Sequence, residues 1–190
     1  MRDVLGDLSR WWDAGEPVGM ATVVATWRSA PRPAGATMLV GPDGTAVGSV
    51  SGGCVEGAVY ELATEVVGSG VPVLQRYGVS DDDAFAVGLT CGGIIDVFVE
   101  KFDRETFPQF AAVAEAIRGG TPVAVVTCVA AAKGAPVLAA GAPAVDGDVP
   151  APADGGDPAG RLGRRLIVYP DHVEGTLGSD RLDDAVADDA

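Results

Sequence analysis

The chain has 190 residues, 47% of them hydrophobic, and a formal net charge of -14. That is enough apolar material for one globular domain or two small ones. The negative balance argues against nucleic acid and anionic membranes as main partners, because their phosphates would be repelled. Three cysteines with no C-x-x-C pair form neither a disulfide framework nor a zinc site. The lone histidine, His172, nearly excludes a Cys–His or Ser–His–Asp hydrolase unless it folds back onto a nucleophile. The first residues are charged and lack an apolar signal core. No apolar run approaches the ~18 residues that span a bilayer. A reducing cytoplasm is the expected compartment.

Val4, Leu5, Leu8, Trp11 and Trp12 recur at helical spacing, so a helix is predicted over 3–14, ended by Gly15. Val18 to Trp27 is β-branched and apolar, a buried strand. Arg28-Ser-Ala-Pro-Arg-Pro33 follows as a proline-stiffened loop. Thr37 to Val40 and Thr45 to Val47 read as two strands around an Asp43-Gly44 turn. A helix is predicted over about 54–67, stopped by Gly68 and Gly70. Pro72 to Tyr77 is a short strand, residues 80–83 an acidic loop, and Ile94 to Phe102 the most strand-like run. A helix is expected over 105–118 and a strand over 122–129.

Residues 131–160 are mostly Ala, Gly and Pro with no aromatic. Such a stretch cannot bury enough apolar surface to offset its ordering entropy, and a mobile insertion is expected there. Beyond it come a strand over 164–169, a turn at Pro170-Asp171 and a last helix from about Ser179. The order of elements predicts an α/β (mixed α+β) fold, a mixed β-sheet with flanking helices in a single domain over 1–190.

Two glycine–cysteine stretches stand out, Ser51-Gly52-Gly53-Cys54 and Cys91-Gly92-Gly93. Successive glycine N–H groups can form an anion-binding nest. Ser51 is a candidate N-cap, which would put Cys54 in the first turn of a helix, where a thiol tends to be more acidic and reactive. The competing reading is that the glycines only allow close packing and Cys54 is a small core residue. Glu56 would oppose thiol ionisation, take a proton, bond a ligand or face water. Arg28 and Arg32 form a local positive window suited to a phosphate, or they pair with surface carboxylates. Cys128 reads as a core residue, and alternation along 94–102 turns Asp96 toward solvent.

The end of the chain echoes its beginning. Glu16-Pro-Val-Gly-Met-Ala-Thr22 matches Thr121-Pro-Val-Ala-Val-Val-Thr127. Gly35, Val40, Pro42-Asp43 and Gly48-Ser-Val50 match Gly163, Val168, Pro170-Asp171 and Gly175-Thr-Leu177. A duplicated hairpin-plus-helix unit over 16–67 and 121–188 is expected, with a period of about 105 to 130 residues and both copies in one sheet. Ser179-Asp180-Arg181 replaces Gly-Gly-Cys in the second copy, so the scaffold would not need the cysteine.

Ala21-Thr-Val-Val, Ser29-Ala-Pro-Arg-Pro33, Gly48 to Gly57, Gly88-Leu-Thr-Cys-Gly-Gly93 and Asp96-Val-Phe-Val-Glu100 resemble, in that order, the XdhC/CoxI family of molybdenum hydroxylase maturation proteins. Many members carry a C-terminal Rossmann domain; this chain resembles the short, CoxI-like ones, or a truncation. The resemblance implies a non-enzymatic chaperone that binds molybdenum cofactor transiently. It would support or protect the cofactor's sulfido ligand and deliver it to an apo-molybdoenzyme of the xanthine or carbon monoxide dehydrogenase type. A cysteine desulfurase is an implied further partner, and a homodimer is expected. Arg28, Arg32, Ser51, Gly52, Gly53, Cys54, Glu56, Cys91, Gly92 and Gly93 would form the cofactor site. Two other readings stay open: a sulfur relay or redox pair using Cys54 and Cys91, and a structural partner in which the thiols only pack.

Overall fold

The computed structural model describes residues 1–78, 93–129 and 159–189. They form two compact units, Met1–Pro108 and a second starting at Gln109. The first contains α1 (Leu5–Ala14), β1 (Val18–Trp27), β2 (Thr37–Val40), β3 (Ala46–Gly48), α2 (Glu56–Ser69), β4 (Val73–Tyr77) and β5 (Ile94–Phe102). The second contains α3 (Phe110–Gly119), β6 (Ala124–Thr127), β7 (Arg165–Val168), β8 (Val173–Gly175) and α4 (Asp180–Ala187). Mixed α and β structure is as predicted. The pairings described are all antiparallel, in a five-stranded sheet β3-β2-β1-β5-β4 and a three-stranded sheet β6-β7-β8. The second copy of the echo thus has its own sheet instead of joining the first.

In the first unit β1 lies at the centre, paired with β2 and β5. Alternate residues Ala21, Val23, Met38, Val40, Ile95, Val97 and Val99 pack with Val59, Ala63 and Val66 of α2. Those three α2 residues are one helical stripe, and each full burial of a valine is worth about 1.5–3 kcal/mol. The opposite parity, Val18, Met20, Leu39, Phe98 and Phe102, is buried as well. A sheet covered on both faces reads as continuous apolar runs instead of alternating ones. At Gly19 the helix comes so close that a Cβ would stand 2.9 Å from Ala63 Cβ.

Two helix starts differ from expectation. Glu56 is the first residue of α2, with Val55 as N-cap, so neither Ser51 nor Cys54 has its predicted place. The helix expected from 105 begins at Phe110, because Asp103 Oδ1 holds the N–H groups of Glu105 and Thr106 in a turn. The last helix begins at Asp180 with Ser179 as its N-cap, as expected.

The two units repeat each other's registers. Gly19, Met20, Ala21 and Thr22 face Val40, Leu39, Met38 and Thr37; Ala124, Val125, Val126 and Thr127 face Val168, Ile167, Leu166 and Arg165. Met38 faces Gly48 where Leu166 faces Gly175. Gly48 and Gly175 have φ of 84° and 83°, and a Cβ there would lie 2.3 Å from Thr37 O and 2.4 Å from Arg165 O. Ahead of the strands, α1 and α3 both end on a left-handed glycine, Gly15 and Gly120. Glu16 N–H donates to Trp11 O, and Thr121 N–H to Ala116 O.

Candidate functional site

The glycine–cysteine loop lies between β3 and α2, and its shape is set by Glu56. Ser49 Oγ and the N–H groups of Ser51 and Gly52 donate to Glu56 Oε1 at 2.7, 2.9 and 3.0 Å. Gly53 N–H donates to Oε2 at 2.7 Å, and Ser51 Oγ donates to the same oxygen. Ser51 Oγ also accepts from the N–H groups of Cys54 and Val55 at 3.1 and 3.0 Å. Ser51 is therefore buried and caps the chain just ahead of the helix without being its N-cap. Gly52 and Gly53 have φ of 77° and 114°, which lets consecutive N–H groups turn toward one carboxylate. The nest predicted for an external anion is filled by the chain's own glutamate.

Burial pushes the Glu56 pKa up, but the hydrogen bonds from Ser51, Ser49 and the backbone outweigh it and bring it from 4.5 down to about 2. Glu56 is thus ionised and committed to its own loop. It is not placed as a proton acceptor, one of the roles its position in the sequence allows. Cys54 is a half-buried thiol at the rim of the α2 core, next to two exposed glycines.

A cavity of about 350 Å³ lies beside this loop, lined by Arg32, Ala36, Thr37, Gly48 and Ser49 together with Met1, Asp3 and Val4. It joins Arg32 to Ser49, the residue that also holds Glu56. The Met1 amino group donates to Thr37 Oγ1 at 3.1 Å, and burial lowers its pKa. Arg28 is exposed and has φ of 58°, a conformation uncommon outside glycine, and it is not among the cavity's lining residues. Cys91 and Gly92 lie outside the described residues. Gly93 packs backbone to backbone on the arginine loop, since a Cβ there would stand 3.0 Å from Ser29 C and Ala30 N.

Asp96 does not face solvent. It stands directly opposite Arg76 in the β4–β5 register. Arg76 Nε and Nη2 donate to its two oxygens at 2.7 and 2.8 Å. Arg76 Cζ sits 4.7 Å from the ring centre of Trp27, which keeps 40% of its surface exposed. Both faces of the sheet are covered, so alternation alone could not place Asp96; a cross-strand opposite charge was the available signal. His172 lies in the second unit with Nδ1 2.8 Å from Asp171 and Nε2 3.3 Å from Glu174. Cys128 is half-buried and takes the place of Val23: both N–H groups donate to the residue after a loop glycine, Ala36 and Arg164. Among the described residues no cluster of three His, Cys, Asp or Glu could hold a metal ion, and no helix is long and apolar enough to cross a membrane.

Residues 11–78 match the profile of the XdhC and CoxI family. The chain is 33% identical over 112 residues to a probable xanthine dehydrogenase subunit of Bacillus subtilis, covering 57% of this chain and 33% of the relative. It is 41% identical over 88 residues to the molybdenum cofactor insertion chaperone PaoD of Escherichia coli, covering 46% of this chain and 27% of the relative. A solved structure described as a xanthine dehydrogenase from Bacillus halodurans superposes with a TM-score of 0.56 at 31% identity, over 65% of this chain and 37% of the other. The matched part thus spans well under half the length of each of these relatives.

Proposed function

We propose, from the match of residues 11–78 to the XdhC and CoxI family, that this chain acts in the maturation of a molybdenum-containing hydroxylase by binding molybdenum cofactor and handing it to the apo-enzyme. The relative named as a molybdenum cofactor insertion chaperone supports the role. The observation that carries it is the preformed loop. Glu56 folds Ser49 to Gly53 into one shape, Cys54 follows on that loop, and Arg32 shares a cavity with Ser49.

These residues fit the group. Exposed Arg32 offers a cation to the phosphate of a pterin, while the Ser49 and Thr37 hydroxyls beside it are donated to Glu56 and to Gly35 O and fix the wall of the cavity. The Cys54 thiol is a soft donor matched to a molybdenum–sulfur centre. When bound, the cofactor would supply that centre, and the chain would supply shelter and orientation. Glu56 is held by the loop, so its part is to shape the site. Protection of the sulfido ligand, transfer from a cysteine desulfurase and pairing into a homodimer are finer elements of the same proposal.

The test is co-purification from a host shown to make molybdenum cofactor, with molybdenum and fluorescent pterin quantified per chain. The wild type is expected to carry both, and Cys54→Ser and Arg32→Ala to lose them while keeping the wild-type melting curve. A wild-type chain without pterin would overturn the reading. A persulfide on Cys54 without pterin would favour the sulfur relay with Cys91.

A further inference from the structure

The two units share more than their strand registers. In the second unit, Thr176 and Asp183 occupy the places of Ser49 and Glu56, counted from the paired glycines Gly175 and Gly48. Thr176 Oγ1 donates to Asp183 Oδ2, and Leu177 N–H donates to Oδ1 at 2.7 Å. Gly178 N–H donates to Thr176 Oγ1 at 2.8 Å, as Gly52 N–H donates to Ser49 Oγ at 2.9 Å. The residues between are buried in both units, Val50 and Leu177. Aspartate is one methylene shorter than glutamate, and it grips the turn one residue earlier. In the same count, Arg181 stands where Cys54 stands.

We propose that the chain is an internal duplication in which a helix carboxylate clasps the glycine turn ahead of it, and that Glu56 is a positioning residue for Cys54, not a ligand of the cofactor. This rests on the reading of Cys54 as the functional group of the loop. The second unit separates scaffold from chemistry. It keeps a hydroxyl–carboxylate clasp without a cysteine, so the clasp belongs to the folded unit. The units differ at the position where one presents a thiol and the other a guanidinium. Both oxygens of Glu56 are occupied, by two hydroxyls and three backbone N–H groups, which leaves its carboxylate committed to the loop.

A glutamine at this position has one acceptor oxygen, and its NH2 would face N–H donors. The experiment therefore compares full-length wild type with Glu56→Gln, Glu56→Asp and Asp183→Asn. Amide-proton exchange at Ser51, Gly52 and Gly53 is read by NMR. Iodoacetamide labelling of Cys54, with Cys128 as internal reference, is read by peptide mass spectrometry. Glu56→Gln is expected to speed exchange at those amides and labelling of Cys54 by roughly tenfold, the size of one lost charge-assisted hydrogen bond. Val59 and Ala63 amides should keep their protection. Glu56→Asp should recover part of both effects. Asp183→Asn should speed exchange at Leu177 and leave Cys54 labelling unchanged.

Unchanged exchange and labelling in Glu56→Gln would overturn the proposal. So would loss of bound pterin in that variant with both readouts at wild-type values, which would make Glu56 a ligand. If Glu56→Gln does not fold, Glu56→Asp decides by the same readouts. A wild-type chain that carries no pterin defeats the chaperone reading and leaves the exchange and labelling results standing.

Discussion

Asp96→Asn tests the electrostatics of the first unit most directly. The side chains of Arg76 and Asp96 keep 14% and 10% of their surface exposed, so neither reaches bulk water easily. Their two hydrogen bonds are charge-assisted, each worth about 1.5–3 kcal/mol, and removing one partner of a buried pair costs about 3–5 kcal/mol. Asparagine keeps one acceptor and turns an NH2 group toward the guanidinium. Arg76 retains its contact with Trp27, which offsets part of the loss. The net cost should be about 3 kcal/mol, a fall in Tm of roughly 6–12 °C for a chain of this size. The assay is thermal unfolding followed by far-UV circular dichroism and by tryptophan emission, which sums Trp27 with Trp11 and Trp12. The double variant Arg76→Met/Asp96→Leu should recover most of the loss, because no charge is then buried alone. An Asp96→Asn protein that melts with the wild type would refute a buried, mutually dependent pair.

Three smaller perturbations have equally definite outcomes. Glu56 has its pKa depressed on folding, so its contribution is present above pH 4.5 and is lost as pH falls toward about 2. Discounted for solvent screening it is worth about 1–2 kcal/mol, and the Tm gap between wild type and Glu56→Gln should close across that window. His172 has its pKa raised above 6.5 by its hydrogen bond to Asp171, with Glu174 adding to the effect. Its contribution is full below pH 6.5 and fades as pH rises through the folded value; an NMR titration should show a midpoint above 6.5 that drops in Asp171→Asn. Gly48→Ala should destabilise the β2–β3 hairpin by about 1–3 kcal/mol, from both the left-handed backbone and the approach to Thr37 O, as read by urea unfolding.

Much of the fold is legible in the residues because local rules and packing agree. Gly15 reads as a helix stop and adopts the left-handed cap, as Gly120 does after α3. Val18 to Trp27 reads as a strand and is the central one. Local rules fail where long-range pairing decides. Alternation turns Asp96 to solvent, a rule that works only for a sheet with one wet face. Ser51 has the spacing of an N-cap, but Glu56 reaches back over the turn and the helix starts later. The site is legible as a loop and a cysteine. That the glycine N–H groups already have their anion, and that Ser49 links the clasp to the Arg32 cavity, depends on φ values and distances that spacing does not carry.

In both units the same backbone bonds close the pairing of the first two strands, β1 with β2 and β6 with β7. Val23 N–H donates to Ala36 O and Gly35 N–H to Val23 O; Cys128 N–H donates to Arg164 O and Gly163 N–H to Cys128 O. Between these bonds the first unit holds the last residues of β1, up to Trp27, and the short arginine loop, and the second holds the long Ala/Gly/Pro-rich stretch. The ladder below is the same in either case. Such a latch insulates the sheet from whatever is spliced above it, because loop length adds closure entropy only slowly. This connection is therefore the natural graft point of the unit. A reporter peptide inserted between Cys128 and Gly163 would leave β6, β7 and β8 in register, and the same splice between Trp27 and Gly35 would displace Arg28 and Arg32 while sparing β1, which pairs with β5 as far as Trp27.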